Sequence, residues 1–245
     1  MVKTTIVTAS VGNEKLIDCI ESVRLQTMNP LHIVVVDGYE YLDSVIDILE
    51  SNMYYKNENQ FTYKHMADDV HELKLCVLPN NVGSNGYYAH RVIASFAHLI
   101  NTEYCMFLDE DNTIDKDHVE TCFHSISNEY DYVFSLRKIM DVGGEYICDD
   151  LCESLGTTPI YNDISNGYLI DTSAYFYRTS FLVKVAHLWH GKWGADRRFL
   201  TTLNSKLCHT NFACTDKRTL NYRLGGNEGS VQKEFFLNGN KLMEI

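Results

Sequence analysis

The chain has no apolar run near the roughly 18 residues that a membrane span needs, and nothing resembling a signal-peptide core follows Met1. It is poor in positive charge. Lysine and arginine number 21 against 33 acids, a net charge of −12. That deficit argues against nonspecific binding to nucleic acid or anionic membranes, both of which call for basic patches. There is no C-x₂-C pair among the eight cysteines. Cys19, Cys76, Cys105 and Cys122 sit in apolar patterns as buried thiols do, so free thiols are expected; only Cys208-His209 near Cys214 leaves a zinc site open. Neither G-x-G-x-x-G nor G-x-x-x-x-G-K-[ST] occurs, which excludes dinucleotide dehydrogenases and P-loop enzymes. No repeat or low-complexity tract is present. These absences read as one cytosolic domain of 245 residues, whose 45% hydrophobic content is ample for a core.

What is present is strand–helix alternation. Residues 4–9 form a β-branched apolar run, Leu16, Ile17, Ile20 and Val23 recur at helical spacing, and residues 32–36 form a second apolar run after Asn29-Pro30. The pattern predicts a mainly parallel α/β sheet flanked by helices, with strand C-termini converging on one edge where ligands bind. A helix is expected over 42–49, loop and a minor strand over 53–72, a strand over 73–78 and a helix over 84–100. A fourth strand begins at Tyr104. Further helices are expected over 115–126, 179–189 and 196–203, and strands over 130–136, 173–177 and 211–214. Residues 225–229 read as a hinge before a short tail.

The stretch Tyr104-Cys105-Met106-Phe107-Leu108-Asp109-Glu110-Asp111-Asn112 organises the chain. Three acids at the end of a buried strand repel one another and are costly to desolvate. A hard divalent cation answers both problems. Strand alternation places Asp109 and Asp111 on one side, holding Mn²⁺ or Mg²⁺, and Glu110 on the other; a solvated turn capping the next helix is the bland alternative. Thr8, Ala9, Ser10 and Asp37 end the first two strands, where a nucleotide would sit. Gly83 permits close backbone approach, and Arg91 near an anion-attracting helix start suits a phosphate.

These stretches resemble GT-A glycosyltransferases of the family 2 type. The resemblance rests on residues 4–38, on NNVGSNGYYAHRVIASFAHLINTEYCMFLDEDN and on WGADRRFL. It implies a single GT-A domain, with residues 1–115 binding a nucleotide-sugar donor and 116–245 shaping the acceptor side. The implied reaction is metal-dependent, inverting transfer from a UDP-sugar to a glycan, lipid or protein acceptor. In the family the first strand and the Asp after the second hold the nucleotide base, the D-x-D pair binds the metal, and a later acid, usually in a Glu-Asp pair before a helix, is the catalytic base. Here the usual Glu of that Glu-Asp pair is Ala195, leaving Asp196 as base and Asp171 as fallback. His209 is the implied third metal ligand, and Trp193-Gly194 an acceptor rim. Retaining transfer, sugar-1-phosphate nucleotidyl transfer and non-catalytic sugar-nucleotide or glycan binding are the alternatives.

Overall fold

The computed structural model describes residues 3–57, 61–156, 168–205, 210–225 and 231–243. In chain order the elements are β1 (Thr4–Ser10), α1 (Leu16–Arg24), β2 (Leu31–Val36), α2 (Leu42–Ser51), β3 (Tyr54–Lys56), β4 (Thr62–His65), β5 (Asp68–Val77), α3 (His90–Phe96) and β6 (Tyr104–Phe107). There follow β7 (Thr113–Ile114), α4 (His118–Ser125), β8 (Tyr132–Met140), β9 (Tyr146–Asp149), β10 (Tyr175–Arg178), α5 (Thr179–Val185), α6 (Ala195–Leu203), β11 (Phe212–Arg223) and α7 (Lys233–Met243).

All described strands join one sheet in the order β3-β4-β5-β2-β1-β6-β10-β8-β11-β7, with β9 on β8. The block β5-β2-β1-β6 is parallel. Such strands are covered on both faces, which is why TTIVTAS and LHIVVV are apolar almost throughout. Helix α1 buries Leu16, Cys19, Ile20 and Val23 on one stripe. In-register pairing of Ser10 with Val36 and of Val36 with Val77 brings three strand ends level at one edge. Beyond β6 the sheet turns mixed: β10 runs antiparallel between β6 and β8, and β11 lies parallel to β8. An aromatic core fills the space behind it, with Trp189 stacked on Phe199 at 4.3 Å between ring centres.

Several stretches differ from the sequence reading, among them the last strand, expected over 211–214 and extending as β11 over Phe212–Arg223. Residues 53–72 are largely sheet: β3, β4 and the start of β5 form an antiparallel wing. Its buried hydrophobic residues, Tyr54 and Tyr63, are spaced among polar neighbours that masked the alternation. The helix expected over 84–100 is only α3. The Gly83 carbonyl accepts from the amides of both Tyr87 (3.1 Å) and Tyr88 (2.9 Å), and Asn85, Gly86 and Tyr88 have left-handed backbones, so turns occupy 84–89. The tail contains a helix, α7, which packs Phe236 against Ile139, Cys152 and Leu224. No helix among the described residues is long and apolar enough to cross a membrane. The seven described cysteines are free thiols; the Cys208-His209 zinc reading lies outside the described residues.

Candidate active site

A cavity of about 460 Å³ opens at the edge where β1, β2 and β6 end. Seven carboxylates line it (Asp37, Asp109, Glu110, Asp111, Glu153, Asp171 and Asp196) against three guanidinium groups, those of Arg137, Arg197 and Arg223.

The acids at 109–111 lie in a turn just past β6, closed by the Asn112 amide donating to the Asp109 carbonyl at 3.1 Å. Strand alternation therefore does not set their directions; the turn does. Glu110 is turned to β1, where it accepts from Ser10 Oγ (2.5 Å), the Asn13 amide (3.3 Å) and the Val11 amide (3.4 Å). Its work is to hold the β1–α1 loop. Among the described residues neither Asp109 nor Asp111 forms an ion pair. Burial, then repulsion from Asp171 and Asp111, holds the Asp109 carboxyl well above the usual carboxylate range. Burial also pushes Asp111 up, with Lys15 and Arg223 pulling the other way. Unpaired buried acids with raised pKa are a mark of functional sites.

The same two carboxylates fit a hard divalent cation by their chemistry. Among the described residues no group of three or more His, Cys, Asp or Glu forms a protein-only cage. A cation here would take its remaining oxygens from a ligand and water. His209 lies outside the described residues.

Asp37, at the end of β2, accepts from the amides of Val82 (2.8 Å) and Gly83 (2.9 Å), and burial raises its pKa. It ties the loop after β5 to the cavity wall. Gly83 serves the chain's own packing: a Cβ there would lie 2.7 Å from Asp37 Oδ2 and closer still to the Tyr88 carbonyl. Ala9 and Ser10 line the cavity, but Thr8 does not. Its hydroxyl is buried against His32 Nε2 at 3.0 Å, too deep in β1 to touch a ligand. Arg91 also misses the cavity. With α3 starting late, its guanidinium lies flat on the Tyr87 ring at 3.3 Å and faces the Val82 carbonyl.

Asp196 enters the cavity from the first turn of α6, just after Gly194 in a left-handed conformation. Burial and the nearby Asp171 raise its pKa, while the Arg197 amide, donating at 2.7 Å, and the charges of Arg197 and Arg137 oppose the rise. Ala195 is buried in the main core and does not line the cavity. Asp171 has both oxygens engaged, by Arg137 Nη1 (2.5 Å) and the Ser173 amide (2.9 Å), so neither is left free to face an acceptor hydroxyl. Trp193 is 69% exposed on the rim, and Trp189 is fully buried.

Sequence reasoning missed the cluster on Arg137. This buried arginine in β8 donates to Asp150 (2.7 Å), Asp171 and Glu153, and Glu153 also takes Arg197 at 3.1 Å. The signal was an arginine inside an apolar strand with acids following in β9 and its loop. Also missed were Tyr222 and Arg223 at the end of β11, and His90, whose Nδ1 meets the Gly191 carbonyl at 2.9 Å.

No family profile matches the chain, and no curated protein is significantly similar to it in sequence. Solved structures do match. S. aureus TarS 1–349 in complex with UDP-GlcNAc superposes with a TM-score of 0.60 at 17% identity, covering 99% of this chain and 65% of that one. The complex of TarS 1–349 with UDP gives 0.57 at 17%, covering 92% and 61%. A structure of S. aureus TarS of which the match covers 39% gives 0.52 at 16% identity over 99% of this chain. The chain thus spans less than two thirds of the TarS chains it matches. It has the fold of these TarS structures, the GT-A type that the sequence resemblance implies.

Proposed function

We propose that the chain is a glycosyltransferase that moves a sugar from a UDP-sugar to an acceptor hydroxyl with inversion. The observation that carries the reading is the turn at Asp109–Asp111, whose two aspartates have no ion-pair partner among the described residues. It opens into the same cavity as Asp196, in the fold in which TarS holds UDP-GlcNAc. The donor lies across the ends of β1, β2 and β6, with Asp37 and Ser10 toward the nucleotide. The 169–197 side takes the acceptor. Asp109 and Asp111 would hold Mn²⁺ or Mg²⁺, and when bound such an ion would supply Lewis-acid stabilisation of the departing diphosphate. A cavity so rich in carboxylates would repel a bare diphosphate, and this supports the need for a cation. Asp196, with its raised pKa, accepts the proton of the acceptor hydroxyl as that oxygen attacks the anomeric carbon.

UDP-sugars are to be screened by thermal shift and turnover, with and without Mn²⁺, on wild type and Asp196→Asn. The variant should keep the ligand-induced shift and lose turnover by about 10²-fold or more. Full turnover in the variant removes Asp196 from the chemistry. Absence of any nucleotide-sugar shift in wild type removes the donor assignment.

A further inference from the structure

His90, the first residue of α3, lines the cavity and has one ring nitrogen to spare. Its Nδ1 lies 2.9 Å from the Gly191 carbonyl. A carbonyl only accepts, so this contact assigns the proton to Nδ1. Burial lowers the pKa of the ring; the Gly191 bond opposes that, and the Arg198 charge adds to it. At neutral pH the imidazole is therefore uncharged and Nε2 carries a lone pair. Among the described residues nothing bonds that nitrogen. The ring is also fixed in its plane. It stacks on the buried Trp189 at 5.9 Å between ring centres, and the Tyr88 ring meets it at 66° and 6.0 Å. Trp189 in turn stacks on Phe199 of α6, the helix whose first turn carries Asp196. His90 thus belongs to the same rigid frame as Asp196.

We infer that His90 Nε2 accepts a hydrogen bond from one hydroxyl of the transferred sugar and so selects which UDP-sugar is used. The inference rests on the proposed donor reading, because it names a contact of the sugar held there. In that reaction the sugar lies between the 109–111 turn and Asp196, and His90 lines the cavity they share. Most other charged groups on the wall are carboxylates, which accept from several directions. A neutral imidazole offers one lone pair in the ring plane, so it takes a single hydroxyl from a single direction. A sugar lacking that hydroxyl, or an epimer that points it elsewhere, leaves Nε2 without a partner and away from water. That costs roughly tenfold in affinity. A carbonyl or carboxylate oxygen at the same place would set lone pair against lone pair.

Isothermal titration of the full chain with Mn²⁺ present compares UDP, UDP-glucose, UDP-galactose and UDP-GlcNAc. Analogues of the tightest binder that lack each hydroxyl in turn follow. In wild type one deletion should weaken binding about tenfold. His90→Asn puts an amide nitrogen near the Nδ1 position, so it keeps the Gly191 contact and loses the cavity acceptor. His90→Phe keeps the stack on Trp189 and serves if the asparagine variant does not fold. Either variant should bind the intact UDP-sugar about tenfold less tightly, bind UDP as wild type does, and be indifferent to that one deletion. Long-range ¹H–¹⁵N spectra of histidine-labelled wild type give a reading that needs no folded variant. They should show the proton on Nδ1, and the Nε2 signal should move with the intact UDP-sugar and stay with the deleted one. Deletions that cost wild type and variants alike, a UDP affinity that falls as far as that of the UDP-sugars, or a ring protonated at Nε2 each overturn the inference and leave the donor reading in place. If neither UDP nor any UDP-sugar binds wild type, the donor reading falls and this inference with it.

Discussion

Replacing Gly83 with alanine tests whether the loop after β5 is built against Asp37. The new Cβ would stand 2.7 Å from Asp37 Oδ2 and nearer still to the Tyr88 carbonyl, where ordinary contact needs more than 3.4 Å. Neither neighbour is a flexible side-chain end. The Tyr88 carbonyl is backbone, and Asp37 is fixed by the amides of Val82 and Gly83. Either the turn over 84–89 moves or Asp37 loses its two amide donors. Overpacking of this kind costs about 1–3 kcal/mol, and weakening a charge-assisted hydrogen bond adds about 1–2 kcal/mol, so the expected loss is about 3 kcal/mol. For a domain of this size that lowers Tm by about 6–12 °C. Gly86→Ala is the internal control. Nothing lies within 4 Å of its Cβ, but its φ of +81° is left-handed, which costs about 1 kcal/mol, or about 2–4 °C. Differential scanning calorimetry of both variants measures the order. A Gly83→Ala protein that melts within about 1 °C of wild type, or above Gly86→Ala, refutes the account of this loop.

Asp109→Asn should raise Tm of the unliganded protein at neutral pH and abolish any Mn²⁺-dependent shift with UDP-sugars, a trade of function for stability. Its pH dependence has a defined sign. The folded carboxyl titrates above its ordinary value of 3.8, so the native state binds the proton more tightly than the unfolded chain. Wild type therefore loses stability relative to the variant as pH rises from about 4 through the Asp109 pKa; a gap that narrows on going up in pH sinks the idea. For the tryptophans, Trp189→Ala should cost about 3–5 kcal/mol in urea unfolding because it empties the space against Phe199. Trp193→Ala should stay within about 0.5 kcal/mol of wild type, because its side chain is exposed on the rim.

Part of the site was legible in the residues and part was not. A run of acids after YCMFL is hard to place in any packed core, so Asp109 and Asp111 stood out. Ala9, Ser10 and Asp37 followed from apolar strands that stop abruptly, and they line the cavity as expected. Thr8 failed because a strand's last residues do not all reach its end: two positions back, the side chain meets His32 instead of a ligand. Arg91 failed because the stripe of Ala89, Val92, Ile93 and Phe96 reads equally well for a long or a short helix. The left-handed turns at Asn85, Gly86 and Tyr88, which shorten it, leave no mark in hydrophobic periodicity.

By itself the sequence determined the parallel block, because strands covered on both faces must be apolar nearly throughout and helices between them must carry one buried stripe. It also marked the acidic turn, since unpaired charge is costly wherever water is excluded. Tertiary structure alone decided which charges compensate one another. Arg137 meets Asp150, Glu153 and Asp171 from 13, 16 and 34 residues away, while Arg91 and Arg198 meet no acid within the described residues. Coulomb energy depends on distance in space and on burial, and neither can be read from position along the chain.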